Sequence, residues 1–272
     1  MLTVMTQNLN YYGDRYGPWR ERRELVREAI EEAQPDIIAL QAVCSDPGVE
    51  DGADQATQLS RMLPDYRHVF FYPANIDDDG REQGSAILSR TPVREPGVRE
   101  LSLRPGLEDD NPRVIQHARF DLDKGMLSVF NAYFSWVQAQ AADNIEEALA
   151  FLAKADGPSL LVGDFNMPAD SPLLERLRDA GYVDLWMQAH PGEDGFTFEV
   201  NRPDRRIDYA WANEELARRL DSVELVRGER GGSGIRASDH FGLKISLAIQ
   251  PAAWRPPMDL SPRDHRPGSH SM

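Results

Sequence analysis

The chain is short of several things, and each shortage excludes something. It has a single cysteine, Cys44, so no intrachain disulfide can form. With no His or Lys beside it in sequence, Cys44 reads as an inert small side chain. No apolar run approaches the roughly 20 residues of a membrane-spanning helix, and no Lys/Arg-rich amphipathic helix suggests docking on a membrane surface. Basic residues are outnumbered, with 30 Lys and Arg against 45 Asp and Glu, a net charge of −15. Such a surface repels polyphosphate backbones, whose binding rests on Lys and Arg displacing counterions, so a long nucleic acid is disfavoured unless a local basic patch overcomes the repulsion. The N-terminus runs at once into a strand-like stretch with Leu2 and Val4, without the basic region, apolar core and cleavage site of a secretory signal. The expectation is a cytoplasmic protein. Nothing in the sequence speaks to its oligomeric state.

What is present is an alternation of strands and helices. "LTVMTQNLN", "DIIAL", "HVFFYP", "GSAILSR", "SLLVGDFN", "RRIDYAWA" and "HFGLKISLAI" read as strands, and "RVIQHARFDL" with "MLSVFNAYF" as a hairpin turning at "DKG". Helical spacing runs through "WRERRELVREAIEEAQ", where Leu25, Val26, Ala29, Ile30 and Ala33 form an apolar stripe and charges fill the other face. It recurs in "ADQATQLSRML", with Leu59, Met62 and Leu63 inward, and along Ile145, Leu149 and Leu152. Ser171 can cap a further helix with Pro172 in its first turn and Gly181 beyond its end. With no internal repeat or interior linker, residues 1–250 read as one domain. Residues 251–272, Pro-rich, polar and aperiodic, read as a disordered tail.

Four polar clusters sit where apolar strands end: "TQNLN", "GDFN", "RIDY" and "SDH". Strand ends form the rim where layered α/β folds bind ligands. Each cluster alone has a plainer reading: Asn8 and "GDFN" as turns with side-chain hydrogen bonds, "SDH" as a loop cap, and Asp208 as the partner of Arg205 or Arg206. Together they offer three carboxylates (Asp164, Asp208, Asp239), two amides (Asn8, Asn166) and one imidazole (His240). That donor set is rich in oxygen and lacks clustered Cys or paired His, which suits Mg²⁺ or Mn²⁺ and disfavours structural zinc.

The order of "TQNLN", "DIIALQ", "GSAILSR", "VGDFN", "RRIDYAWA" and "SDHFGL", from about Thr3 to Ile249, resembles the endonuclease/exonuclease/phosphatase superfamily. The resemblance implies an α/β four-layer sandwich: two mixed, mostly antiparallel sheets packed face to face, with helices outside. It also implies hydrolysis of a phosphate ester by a metal-aligned water. By motif position Asn8 and Asp239 would lie in the metal shell, Asp164 would orient or deprotonate the water, and Asn166 would hydrogen-bond a phosphate oxygen. His240 would stabilise the transition state, with Asp208 fixing its tautomer and keeping it charged.

Two positions depart from the pattern. The family usually carries a metal-ligating Glu after the Gln of "LQ"; here that position is Ala42, which offers a cation nothing. Asp46, a few residues on, is a poor substitute on a different trajectory. Where many bacterial relatives have a His, this chain has Tyr133, as abasic-site endonucleases carry a tyrosine in the corresponding motif. A phenol can donate the same hydrogen bond but adds no positive charge near neutrality. The alternative for Tyr133 is packing on Trp136.

The resulting expectation is a phosphodiesterase for a small phosphate ester or diester, its Mg²⁺ or Mn²⁺ weakly held and its activity lost or lowered at Ala42. A phosphate-ester-binding pseudoenzyme and a nuclease of the same fold are the alternatives. Arg113 and Arg206 are candidate phosphate contacts, against the plainer reading of arginines paired with the abundant acids. Trp19 and Trp136 are read as core residues and residues at the start of helices, in preference to an aromatic patch for a base or a lipid.

Overall fold

The computed structural model of the protein describes residues 1–229 and 234–252. Its strands in chain order are β1 (Leu2–Asn8), β2 (Ile37–Ser45), β3 (His68–Ile76), β4 (Glu82–Ser89), β5 (Arg94–Glu100) and β6 (Val114–Asp121), then β7 (Met126–Tyr133), β8 (Ser159–Asp164), β9 (Tyr182–Asp184), β10 (Asp208–Asn213), β11 (Leu220–Val226) and β12 (Gly242–Leu247). They form two six-stranded sheets, β11-β12-β1-β2-β4-β3 and β5-β6-β7-β8-β10-β9. Among the described residues only β1–β2 and β7–β8 pair in parallel, and every other strand pairing is antiparallel.

Strand alternation builds the layers. Val4, Ile37 and Ala39 of the first sheet join Leu160, Val162 and Ala210 of the second in one buried cluster between the sheets. The intervening Met5, Ile38 and Leu40 face the other way, onto the stripe of α1 (Trp19–Ala33) and onto Leu59 of α2 (Gln55–Met62). Leu161, Tyr209 and Trp211 likewise turn outward onto α3 (Gln138–Leu152) and Leu177 of α4 (Glu175–Asp179). This is the expected four-layer sandwich. The stripe of α1 is as read, with one correction: Arg22, assigned to the charged face, is fully buried. Met62 is only partly buried. The helix expected after Ser171 is a 3-10 turn, Pro172–Leu174, followed by the short α4, with Ser171 Oγ accepting from Leu173 N. Strands β5, β9 and β11 went unread, because "REPGVRE" is exposed and polar, "YVD" is three residues long and "LDSVELV" buries few side chains.

Each parallel pair is joined by a crossover helix, α1 in the first sheet and α3 in the second. Asn8, Tyr133 and Asp164 end three of these four parallel strands, and Ala42 lies near the end of the fourth. Gly163 allows the close approach there: it sits at φ 141°, and a Cβ would lie 1.9 Å from the Ala132 carbonyl oxygen. Of the expected tail, Pro251 bridges Leu122 and Ala252 N donates to Asp121 O; residues 253–272 lie outside the described ones. No helix of the described chain is long and apolar enough to cross a membrane.

Candidate active site

Asp164 is the hub. It ends β8, opposite Asp208 on antiparallel β10 and level with Tyr133 on parallel β7. From the other sheet, Asn8 Nδ2 donates to Asp164 Oδ2 at 2.9 Å. His240 arrives just before β12, tied down by Gln7 Nε2 on its carbonyl at 3.0 Å and by its own N–H on Ser238 Oγ at 3.2 Å. Its Nδ1 donates to Asp208 Oδ2 at 2.9 Å, which leaves Nε2 facing Asp164 Oδ2 and Asp239 Oδ1, each 3.9 Å away. Asp208 therefore pairs with the histidine and not with an arginine; Arg205 bonds Asp204, and Arg206 bonds Asp184 at 2.8 Å.

Burial would strip His240 of its proton, but the facing carboxylates of Asp208, Asp164 and Asp239 outweigh it and raise the imidazole to about 10. Burial also lifts Asp164, to about 7 against the pull of His240, with Asp208 adding to the rise. Asp208 Oδ1 is buried without a hydrogen-bond partner among the described residues.

Asn166, at φ 52°, donates its backbone N–H to Asp164 Oδ1 and its Nδ2 to Phe134 O, at 2.8 and 2.9 Å. The turn reading of "GDFN" thus holds alongside its place in the cluster. So does that of Asn8, whose Oδ1 accepts from Asn10 N. Tyr133 lies under Arg113, whose guanidinium carbon is 4.1 Å from the ring centroid, and not against Trp136. Arg113 is buried and bonded to Asp109 at 2.9 Å, yet its Nε and Nη1 have no partner among the described residues. Arg206 differs from expectation: it is 2% exposed, committed to Asp184 and stacked on Tyr209, so it is not presented at the rim. Trp136 is corrected in the other direction, being 47% exposed, whereas Trp19 is buried as expected. Asp46 is held by Arg81 at 2.7 Å and caps Gly48 N. Cys44 is buried, and burial, with Asp46 nearby, pushes its thiol up to about 11.

Ala42 sits in a bulge, where the β2–β4 register shifts between Leu40 and Val43, at φ 50°. A non-glycine residue in that region carries strain of order 1 kcal/mol or more, which bulges beside functional sites commonly hold. It is one residue past Gln41, the register partner of Asn8, and its carbonyl accepts from Tyr11 N at 2.8 Å. It is buried but joins none of the apolar clusters, unlike its neighbours Leu40 and Val43.

Several supporting residues escaped sequence reasoning. Arg22 staples the loops behind Asn8 and ahead of Asp239, donating to Leu9 O, Tyr11 O and Ala237 O at 2.8, 2.6 and 2.9 Å. Its spacing from Leu25 and Val26, on the apolar stripe, was the available signal. Gln41 Nε2 donates to Asn131 Oδ1 at 2.6 Å, and Asn131 Nδ2 to Leu40 O at 3.0 Å, a polar tie between the sheets. Tyr11 and Tyr133 are electrostatic neighbours, and burial pushes both phenols up. Only the fold brings Tyr11 there.

The profile of the endonuclease/exonuclease/phosphatase family matches residues 5–240. The chain belongs to that family. Among solved structures it is similar to the endonuclease/exonuclease/phosphatase from Beutenbergia cavernae (24% identity, TM-score 0.75, covering 92% of this chain and 72% of that one). It is also similar to the mannosyl-6-phosphatase Bt3783 of Bacteroides thetaiotaomicron (21%, 0.72, 91% and 99%) and to a humanized D. rerio TDP2 (16%, 0.67, 90% and 97%). At these identities the likeness is one of fold. A search of curated proteins returned no match.

Endonuclease/exonuclease/phosphatase family members are phosphoester hydrolases, typically dependent on a divalent metal. The residues here fit a hard cation in part. Ligand atoms of Asp164, Asp208 and His240 lie within 4.8 Å of one another, and Asp239 adds a further carboxylate. A charged His240 repels a cation and occupies one Asp208 oxygen, so Asp239, Asp164 and Asn8 are the better donors. Burial, with Asp208 adding to it, is what lifts Asp164, and a bound cation would offset that rise.

Proposed function

We propose that this chain is a divalent-metal-dependent phosphoesterase, a phosphodiesterase for small substrates, weakened at Ala42. The convergence of Asn8, Asp164, Asp208, Asp239 and His240 from both sheets on one point carries this reading. Asn8 and Asp239 would hold Mg²⁺ or Mn²⁺, with Asp164 within reach. When bound, the metal would polarise a phosphoryl oxygen and align water. Asp164 takes the water's proton. His240, charged and fixed by Asp208, presents Nε2–H to the developing negative charge. Asn166 and Tyr133 donate to phosphoryl oxygens, and the two unpartnered edges of Arg113 supply the charge that Tyr133 lacks. The net charge of −15 sets long nucleic acid behind a small ester.

The test is hydrolysis of bis(p-nitrophenyl) phosphate in excess Mn²⁺ by the unsubstituted chain and by Ala42→Glu. Slow, EDTA-sensitive turnover that rises in Ala42→Glu supports the proposal; no turnover by either folded protein contradicts it. Ala42 itself favours a second reading, a non-catalytic binder of phosphate esters. That reading requires ligand binding indifferent to EDTA and no gain in Ala42→Glu.

A further inference from the structure

One loop leads outward from Asp164 and Asn166. Phe134 donates its N–H to Asp164 O at 3.0 Å and accepts from Asn166 Nδ2 at 2.9 Å. Ser135 Oγ then donates to Asp109 Oδ2 at 2.6 Å, Ser135 N to Asn144 Oδ1 at 3.1 Å, and Val137 N to Ser135 Oγ at 3.1 Å. Between these fixed points stands Trp136, 47% exposed. Beside the same end of α3 lies Leu103, 40% exposed and anchored on both sides, because Ser102 O accepts from Gln140 Nε2 and Arg104 N donates to Gln140 Oε1.

An indole gains by burial, and this one is left in water on backbone that is pinned fore and aft. A flat face held rigid before its partner arrives loses little entropy on binding. The neighbouring arginines are engaged, Arg104 with Asp143 and Arg99 with Glu147. The patch thus has little charge to offer an anionic lipid headgroup.

We propose that Trp136, with Leu103 at the same end of α3, is the stacking platform for a planar aromatic substituent of the phosphate ester, such as a nucleobase or an aryl group. This rests on the phosphate site proposed above, since the loop that presents Trp136 is the one bonded to Asn166. Asp109 ties the loop to Arg113 as well, accepting from both Ser135 and Arg113.

The experiment is calorimetric titration of phenyl phosphate and methyl phosphate into the unsubstituted chain, Trp136→Ala and Trp136→Phe. The unsubstituted chain should bind phenyl phosphate about tenfold more tightly than methyl phosphate. Trp136→Ala should bring the ratio close to one with methyl phosphate affinity unchanged, and Trp136→Phe should keep most of the preference. A preference that survives in Trp136→Ala overturns the platform while leaving the phosphate site standing. Binding of neither compound overturns both. Vesicles of phosphatidylcholine provide the last arm: binding that depends on Trp136, without a phenyl preference, assigns the tryptophan to a membrane and overturns the proposal.

Discussion

The two sheets meet at the candidate site with unequal equipment. The second sheet brings Asp164, Asp208 and Tyr133 on three strands, with Asn166 just beyond, and hydrogen bonds of 2.8–2.9 Å hold the side chains of Asp164, Asp208 and Asn166. The first sheet brings Asn8 from β1 and a strained, bare Ala42 from β2, with Asp239 and His240 ahead of β12. Under the proposed function, the second sheet supplies groups for a phosphoryl oxygen and a proton, while the cation side presents an alanine at residue 42. On that reading, the site keeps its geometry without the chemistry that one acidic side chain would supply.

Substitutions should separate the halves. In excess Mn²⁺, Asp164→Asn on the second sheet should lower kcat/KM by about 10³-fold or more, since it acts where charge develops. Asn8→Ala should cost less, on the order of tenfold, because the cation is already weakly held. Equal losses from the two halves would break the comparison. Arg206→Ala tests the frame of the second sheet alone: it leaves Asp184 buried and unpaired and should lower stability by about 3–5 kcal/mol in urea denaturation. If Arg206 touched substrate instead, the loss would fall on KM with stability spared.

The smallest effect belongs to His117, stacked on Phe130 at 4.4 Å with its Nε2 buried and without a hydrogen-bond partner among the described residues. Burial, helped by Arg119, holds its pKa below the ordinary value of 6.5. The folded state thus favours neutral His117, and the unfolded chain takes up the proton first. Stability from this group is present above about pH 6.5 and is lost as pH falls through the depressed folded value. His117→Gln should flatten the acid side of the stability profile without altering any site distance.

Much of this was legible in the sequence because it is local. Alternation in "LTVMTQN" and "SLLVGD" fixes which side chains enter the core between the sheets, and the four polar clusters sit at strand ends as their position implied. What stayed hidden depends on distant partners. Arg22 looks like a surface charge until three carbonyls surround it. Arg206 looks like a phosphate contact until Asp184 is placed beside it. Trp136 looks like core until the fold leaves it exposed just ahead of α3. Tyr11 carries no signal at all until the bulge at Ala42 accepts its N–H.

The most direct measurement is isothermal titration of Mn²⁺ into the unsubstituted chain and into Ala42→Glu, with folding of both checked by circular dichroism. A cleft short of one acid at residue 42 predicts tightening on the order of 10–100-fold, abolished when Asp239→Ala is added. Equal affinities in two folded proteins would mean that residue 42 does not face the cation, and the account of a cation half lacking one donor would be contradicted.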